Sequence, residues 1–439
     1  MPELTRSTGV ALTVGVGAGS AGATLALTSV TTGSFADGWR SLYDSPTAAQ
    51  ALGAVLAVLV ASVPMPSSAR LLVVLAAAIV LGSTLTVDPD DSLILAYVVS
   101  ALAGLVLGGT VRWSTDVASH IRGLPTAAAL GAIVGVAVHQ PLTNPFVFYP
   151  RGEATQVISV QSVTVALLLI TMTLAAGLNP HVRAVLSPSR MSSPAPRIDG
   201  RAAVLGVAVA AMAVAVIGWN TATVSDDEST HEWYLGFIQV AIILAVAVIL
   251  GGPGGSALAA FAAWTASRAG DTSWVPDHRA WLIVAVAVAI AGALVGRRVG
   301  RPIVGIVVLA VCAATYLVYG SAMDAVYSFT TLFIAPGAVA FTVGALLRSG
   351  RTPAAGTLAI ALAGPALWIL SPRSHFIAFG YVGSEGPESF DASGYFGPST
   401  LSAATETAVP MIIAVVACGA ALTLIARRAG DPRPDQAEW

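Results

Sequence analysis

The sequence predicts an all-α polytopic membrane protein of about fourteen transmembrane helices, expected as two related six-helix bundles followed by two C-terminal helices. Three observations predict it. Hydrophobic residues make up 56% of the 439 and charged residues only 10%, so a long chain repeats apolar runs that a water-solvated core does not require. Those runs recur at the length of about 20 residues that a bilayer needs. Arginine and the acidic residues then fall in alternate connections between the runs, the segregation expected when basic loops are held on the cytoplasmic side.

The apolar runs lie at 8–30, 47–64, 69–87, 92–111, 124–141, 156–178, 202–219, 233–250, 254–268, 280–296, 302–320, 328–347, 353–370 and 407–426. The first follows a short charged segment in the manner of a signal peptide. No A-x-A-like site leads into a soluble region, so it is expected to be retained. The third and fourth runs, and the eighth and ninth, are joined so closely that a hairpin or re-entrant segment is an alternative to a full span.

Charge placement tests the parity of this count. With the N-terminus inside, only Arg40, Arg151, Arg268, Arg279 and Arg373 fall outside, which leaves the other sixteen of the 21 basic residues inside. The C-terminus is then also cytoplasmic, as expected for a bacterial plasma-membrane protein. All 21 are arginine, which excludes Schiff-base and Walker-type lysine chemistry; the Ala, Val, Gly and Arg bias is that of a GC-rich, actinobacterial-like genome.

Residues 1–178 are expected to form an N-terminal six-helix bundle, 179–201 a cytoplasmic linker, 202–348 a second six-helix bundle, and 349–439 a two-helix appendix with a long external loop and a cytoplasmic tail. The linker, NPHVRAVLSPSRMSSPAPRIDGR, has the Pro, Ser and Arg content of a connection. Each half begins with one run followed by a long external loop, then closely spaced runs. LVLGGTVR and ALVGRRVGR place Gly beside Arg in both halves, and GLNPHVR and GALLRSGR are a second weak echo.

Ionisable groups inside a membrane mark function, and the centres of these runs carry no Asp, Glu or Arg. Gln161, Gln239, Tyr97, Tyr316 and Tyr319 are therefore the candidates for a substrate cavity. A lone amide also serves by bonding a neighbouring helix carbonyl, and tyrosines three apart also serve as interfacial anchors. His139, Asp91, Asp324 and Glu406 lie near the outer boundaries and are candidates for proton coupling, with helix-capping roles as the alternative. QPLTNPFVFYP, directly after His139, carries three prolines that are expected to stop the helix.

The acidic stretch NTATVSDDESTHEW, 220–233, lacks calcium-loop spacing and a histidine pair, so it reads as an external turn whose Ser229 or Thr230 caps the next helix. GGPGGSA, 251–257, lacks the strand–loop–helix context of a phosphate loop and reads as a tight hairpin. There is no HExxH, CxxC or G-x-S-x-G, and Cys312 and Cys418 fall in apolar runs as small hydrophobes. No cofactor, metal or catalytic residue is expected. The arginines are spread over short loops, which argues against nucleic acid.

Six runs, a basic linker and six more, with a long first external loop in each half, resemble the major facilitator transporters over roughly residues 8–348. Within VASVPMPSSARLL, Arg70 resembles a remnant of the family's loop motif G-x-L-x-D-R-x-G-R-R, and VGRRVGRP resembles a fragment of it at another place. The resemblance implies two bundles alternating around a midplane cavity. It implies secondary transport, with export as one direction, of an uncharged, amphiphilic or lipidic solute, with Arg70, Arg112, Arg297 and Arg298 anchoring or gating the cytoplasmic side. The expected partners are membrane lipids and that solute. A scaffold for an envelope-associated complex, bound to a membrane-protein partner, and a transferase acting on lipid-linked substrate are the alternatives.

Overall fold

A computed structural model describes residues 14–15, 18–19, 21–22, 46–63, 77, 93–117, 123–143, 200–223, 233–267, 280–318, 324–349, 355–368 and 401–430. Eleven helices are delimited among them: α1 Pro46–Ser62, α2 Leu93–Val117, α3 Leu124–Thr143, α4 Gly200–Thr223, α5 Trp233–Leu250, α6 Gly252–Ala266, α7 Ala280–Val299, α8 Pro302–Ala314, α9 at 324–346, α10 Ala355–Trp368 and α11 Leu401–Gly430. No strand occurs among the described residues.

This corrects the expected architecture. Among the described residues only Tyr97–Asp116 and Ala408–Arg428 are helical stretches long and apolar enough to cross a bilayer. Fourteen comparable spans in two six-helix bundles with an added pair is therefore not the observed arrangement. Hydropathy counts every apolar run as a uniform span, whereas glycine, proline and threonine divide the runs. Gly251 and Gly252, at φ 63° and 54°, separate α5 from the 15-residue α6. Helix α8 tightens into a 3-10 turn at Thr315–Val318. The expected run 156–178 lies outside the described residues.

Packing also crosses the expected halves. Helix α1 packs on α2, α4 and α10, while α3 packs on α2, α7 and α9. One buried cluster links residues from Val14 to Ile425. Its centre is α6, in which every residue from Gly254 to Ala266 is buried, and which touches α5, α8, α9, α10 and α11. The outward faces are apolar instead of polar: Ile94 is 76% exposed, Ile283 72% and Val204 69%. A helix apolar both inward and outward is matched to hydrocarbon.

Glycine sets the closest helix pairs. A Cβ on Gly104 or Gly108 of α2 would strike the carbonyl oxygens of Gly53 and Ala57 of α1. On Gly131 and Gly135 of α3 it would strike those of Gly15 and Gly19, and on Gly292 and Gly296 of α7 those of Gly337 and Phe341 of α9. All three pairs are parallel, and each uses glycines four apart, one helical turn, to bring backbones together. Helix α9 consists of Asp324–Phe329, a π turn at Thr330–Ile334 and Ala335–Leu346. Pro336 has no N–H to give back to the preceding turn and its ring crowds a carbonyl there; the wider π turn accommodates both.

Gly104→Val and Gly292→Val are expected to lower stability by roughly 1–3 kcal/mol or more, because the added atoms meet backbone that cannot rotate away. Gly200→Ala, with nothing within 4 Å of its Cβ position, is expected to be nearly neutral. Thermal melting of the purified variants, followed by loss of monodispersity, separates the two behaviours.

Candidate functional site

Two polar places interrupt the apolar interior. The first is at the end where α1 and α2 finish. Arg112 has a side chain only 10% exposed, with its Nε 3.0 Å from Asp116 Oδ1. Its Nη1 donates to Ala61 O at 3.2 Å. That carbonyl is in the last turn of α1, where helix carbonyls lack partners and the helix dipole is negative, so a guanidinium from the adjacent helix both caps and neutralises the end. The same arrangement recurs at α7: Arg348, just after α9, donates from Nη1 to Arg298 O at 2.8 Å. Gly300, at φ 69°, keeps that approach clear.

These contacts gather the described arginines at one end of the molecule. Arg297 lies against Gly123, which begins α3. Ser62, Ala202 and Gly356 meet at the ends of α1, α4 and α10. Among the described residues Arg112 is the single buried charged side chain.

The second place is at the opposite end, between the finish of α8 and the start of α9. Tyr316 and Tyr327 stack edge to face, with ring centroids 5.0 Å apart at 81°. Thr315 and Thr330 place their hydroxyl oxygens 2.9 Å apart. Both are backbone irregularities facing one another, a 3-10 turn against a π turn. Thr331 is buried, and its Oγ1 has no hydrogen-bond partner.

Of the residues singled out by sequence, Gln239 is buried on α5, Tyr97 is half-buried on α2, and Tyr316 is buried at the end of α8. Helices α5 and α8 share α6 and α11 as neighbours, whereas α2 packs on α1, α3 and α10. Tyr97 is thus on another side of the core from Gln239 and Tyr316. Arg112 is the buried cap described above, and Arg297 and Arg298 are exposed at the same end. His139, Asp324 and Glu406 are in the helical backbones of α3, α9 and α11, with α3 continuing past Pro141 to Thr143. Gln161, Tyr319, Asp91 and Arg70 lie outside the described residues.

Sequence reasoning missed Tyr327, Thr330 and Thr331. Their signal is a polar face at i, i+3 and i+4 within the apolar DAVYSFTTLFIAPG, just before a proline. Among the described residues no group of three or more His, Cys, Asp or Glu is placed to hold a metal ion. Cys312 and Cys418 are both buried and free.

No protein-family model matches the chain, and no curated protein matches it. Among solved structures, a bacterial homologue of the human drug peptide transporters PepT1 and PepT2 is 14% identical, with 96% of this chain and 98% of that one covered at a TM-score of 0.51. The major facilitator superfamily proton:xylose symporter XylE, bound to 6-bromo-6-deoxy-D-glucose, is 13% identical over 96% of each chain at a TM-score of 0.49. The inward open xylose transporter XylE from E. coli is 13% identical, over 94% and 95%, at 0.48. The first of these carries the fold assignment: the chain is folded like that peptide-transporter homologue.

Removing the buried guanidinium as Arg112→Gln is expected to cost roughly 1.5–3 kcal/mol, the range for a hydrogen bond to a charged group. Asp116→Asn, whose side chain is 36% exposed, is expected to cost under about 1 kcal/mol, because water already screens that partner. Melting curves of both variants in the same detergent test the order.

Proposed function

We propose that the protein is a secondary transporter, working in the outward direction, for an uncharged, amphiphilic or lipidic solute across a bacterial plasma membrane. The observation that carries this reading is the fold shared over 96% of the chain with the peptide-transporter homologue. Its apolar outward faces agree with a lipid setting.

The interior supports the solute class. Its one buried charge among the described residues, Arg112, is occupied by Asp116 and Ala61 O, so the described part of the core offers a charged solute no free counter-charge. Gln239 and Tyr316 are the groups assigned to orient the solute, together with Gln161 and Tyr319, and Tyr97, on another side of the core, is left out of that set. The arginine-bearing end is assigned to the cytoplasm, and both termini are assigned to the same side. Arg112 anchors that end by holding α1 to α2, with Arg70, Arg297 and Arg298 at the headgroup level. His139, Asp91, Asp324 and Glu406 are the assigned proton-coupling groups. Exchange between two accessible states is what transport requires of this fold.

Gln239→Cys, in a protein whose Cys312 and Cys418 are replaced by Ala, is expected to react with membrane-impermeant thiol reagents from either side in turn. A lipid or metabolite extract containing the solute shifts the balance between the two sides. Labelling in sealed vesicles of known orientation measures this. Protection from both sides under all conditions would remove Gln239 from any transport path.

A further inference from the structure

We infer that the end assigned to the cytoplasm is a gate, shut in this structure, whose balance between shut and open is set by the buried hydroxyl of Ser62. The inference rests on the transport reading above and names a device that regulates it.

Reciprocal packing is the first ground. Helix α10 lies on the glycine-seamed pair α1 and α2, and α3 lies on the equivalent pair α7 and α9. Each incoming helix starts beside the last turn of its host. Gly356, the second residue of α10, meets Ser62, the last residue of α1: a Cβ on Gly356 would lie 2.5 Å from Ser62 Oγ and 2.9 Å from Ala202 Cβ. Gly123, directly before α3, meets Arg297 in the last turn of α7: a Cβ there would lie 3.2 Å from Arg297 Nη1.

Both contacts cross one line. Helix α3 also packs on α2, while α10 packs on α6, which packs on α9. Parting α1, α2 and α3 from α6, α7, α9 and α10 therefore breaks the two contacts together. The Arg112 and Arg348 caps do not cross that line, since each joins the two helices of one seamed pair. They keep the pairs whole while the contacts between pairs exchange.

The Ser62 hydroxyl is the second ground. Ser62 is 1% exposed, and its Oγ has no hydrogen-bond partner among the described residues. Gly356 and the fully buried Ala202 cover it, and α4, which carries Ala202, packs on both α1 and α10. An alanine would fill the same place with no polar group to satisfy. A buried hydroxyl without a partner raises the free energy of the state that buries it, and withdrawal of Gly356 returns this one to water. The penalty falls on the shut state alone, so it keeps a tightly packed closure able to reopen.

Amide hydrogen exchange of the full chain in lipid nanodiscs reads this balance. Ser62→Ala is expected to slow exchange about tenfold in the first turn of α10, the worth of one unmade hydrogen bond. The first turn of α3 slows with it, because the second contact opens in the same motion. Gly356→Ala, whose Cβ the shut state cannot seat, speeds exchange at both places. In the Gln239→Cys protein, Ser62→Ala also lowers thiol labelling from the cytoplasmic side. Unchanged or faster exchange in Ser62→Ala would show a structural hydroxyl and overturn the gate. Slowing confined to α10 would show a local contact and overturn it equally. If Gln239→Cys is still labelled from either side in turn, transport stands and only the gate is lost. Slower exchange at both helix starts, with Gln239→Cys protected from both sides throughout, removes the transport reading and the gate with it.

Discussion

Close contact between helix backbones, made possible by glycines one turn apart, is the constraint on which the rest of this structure depends. In hydrocarbon the apolar effect does not draw one helix to another, since lipid tails solvate a leucine as well as a neighbouring helix does. What remains is dispersion and weak Cα–H···O contact, each worth under about 1 kcal/mol and dependent on close approach. The seams at Gly104/Gly108, Gly131/Gly135 and Gly292/Gly296 supply that approach by laying one backbone on the carbonyls of the next.

The arginine caps extend two of these seams. Arg112 is four residues after Gly108, and Arg348 is four residues after Gly344, so each guanidinium continues the face that the glycines began. Each then reaches the carbonyl end of the partner helix, Ala61 O or Arg298 O. Backbone proximity thus decides where the cations go, and the cations satisfy carbonyls that the helix ends would leave bare. The opposite end lacks this regularity at α8 and α9, where a 3-10 turn faces a π turn and hydroxyls replace guanidinium groups.

Much of the chemistry was legible in the chain. The lipid-matched composition, the hairpin at GGPGGSA, the burial of both cysteines, and the basic character of the α7–α8 junction all follow from residue type and local spacing, whereas the burial of Tyr316 does not, since a tyrosine near a helix end reads equally as an interfacial anchor. Arg112 was visible as a membrane-boundary arginine but its burial was not, because that depends on Ala61 being brought beside it from 51 positions away. The pairing of GGTVR with GALLR as equivalent cap segments was also hidden: by sequence the first looks more like ALVGRRVGR.

The sequence by itself determined the solvent and the inventory: apolar surfaces for lipid, charge confined to helix ends, and an interior poor in ionisable groups. These are sums of transfer free energies, which each residue carries independently of its neighbours. Tertiary structure decided how long each helix runs, that α6 sits at the centre, that helices from both halves share one core, and that Thr315 and Thr330 meet in one polar junction. Those outcomes depend on which backbones can touch and where a proline forces a turn to widen, and both are properties of pairs of segments that no single segment contains.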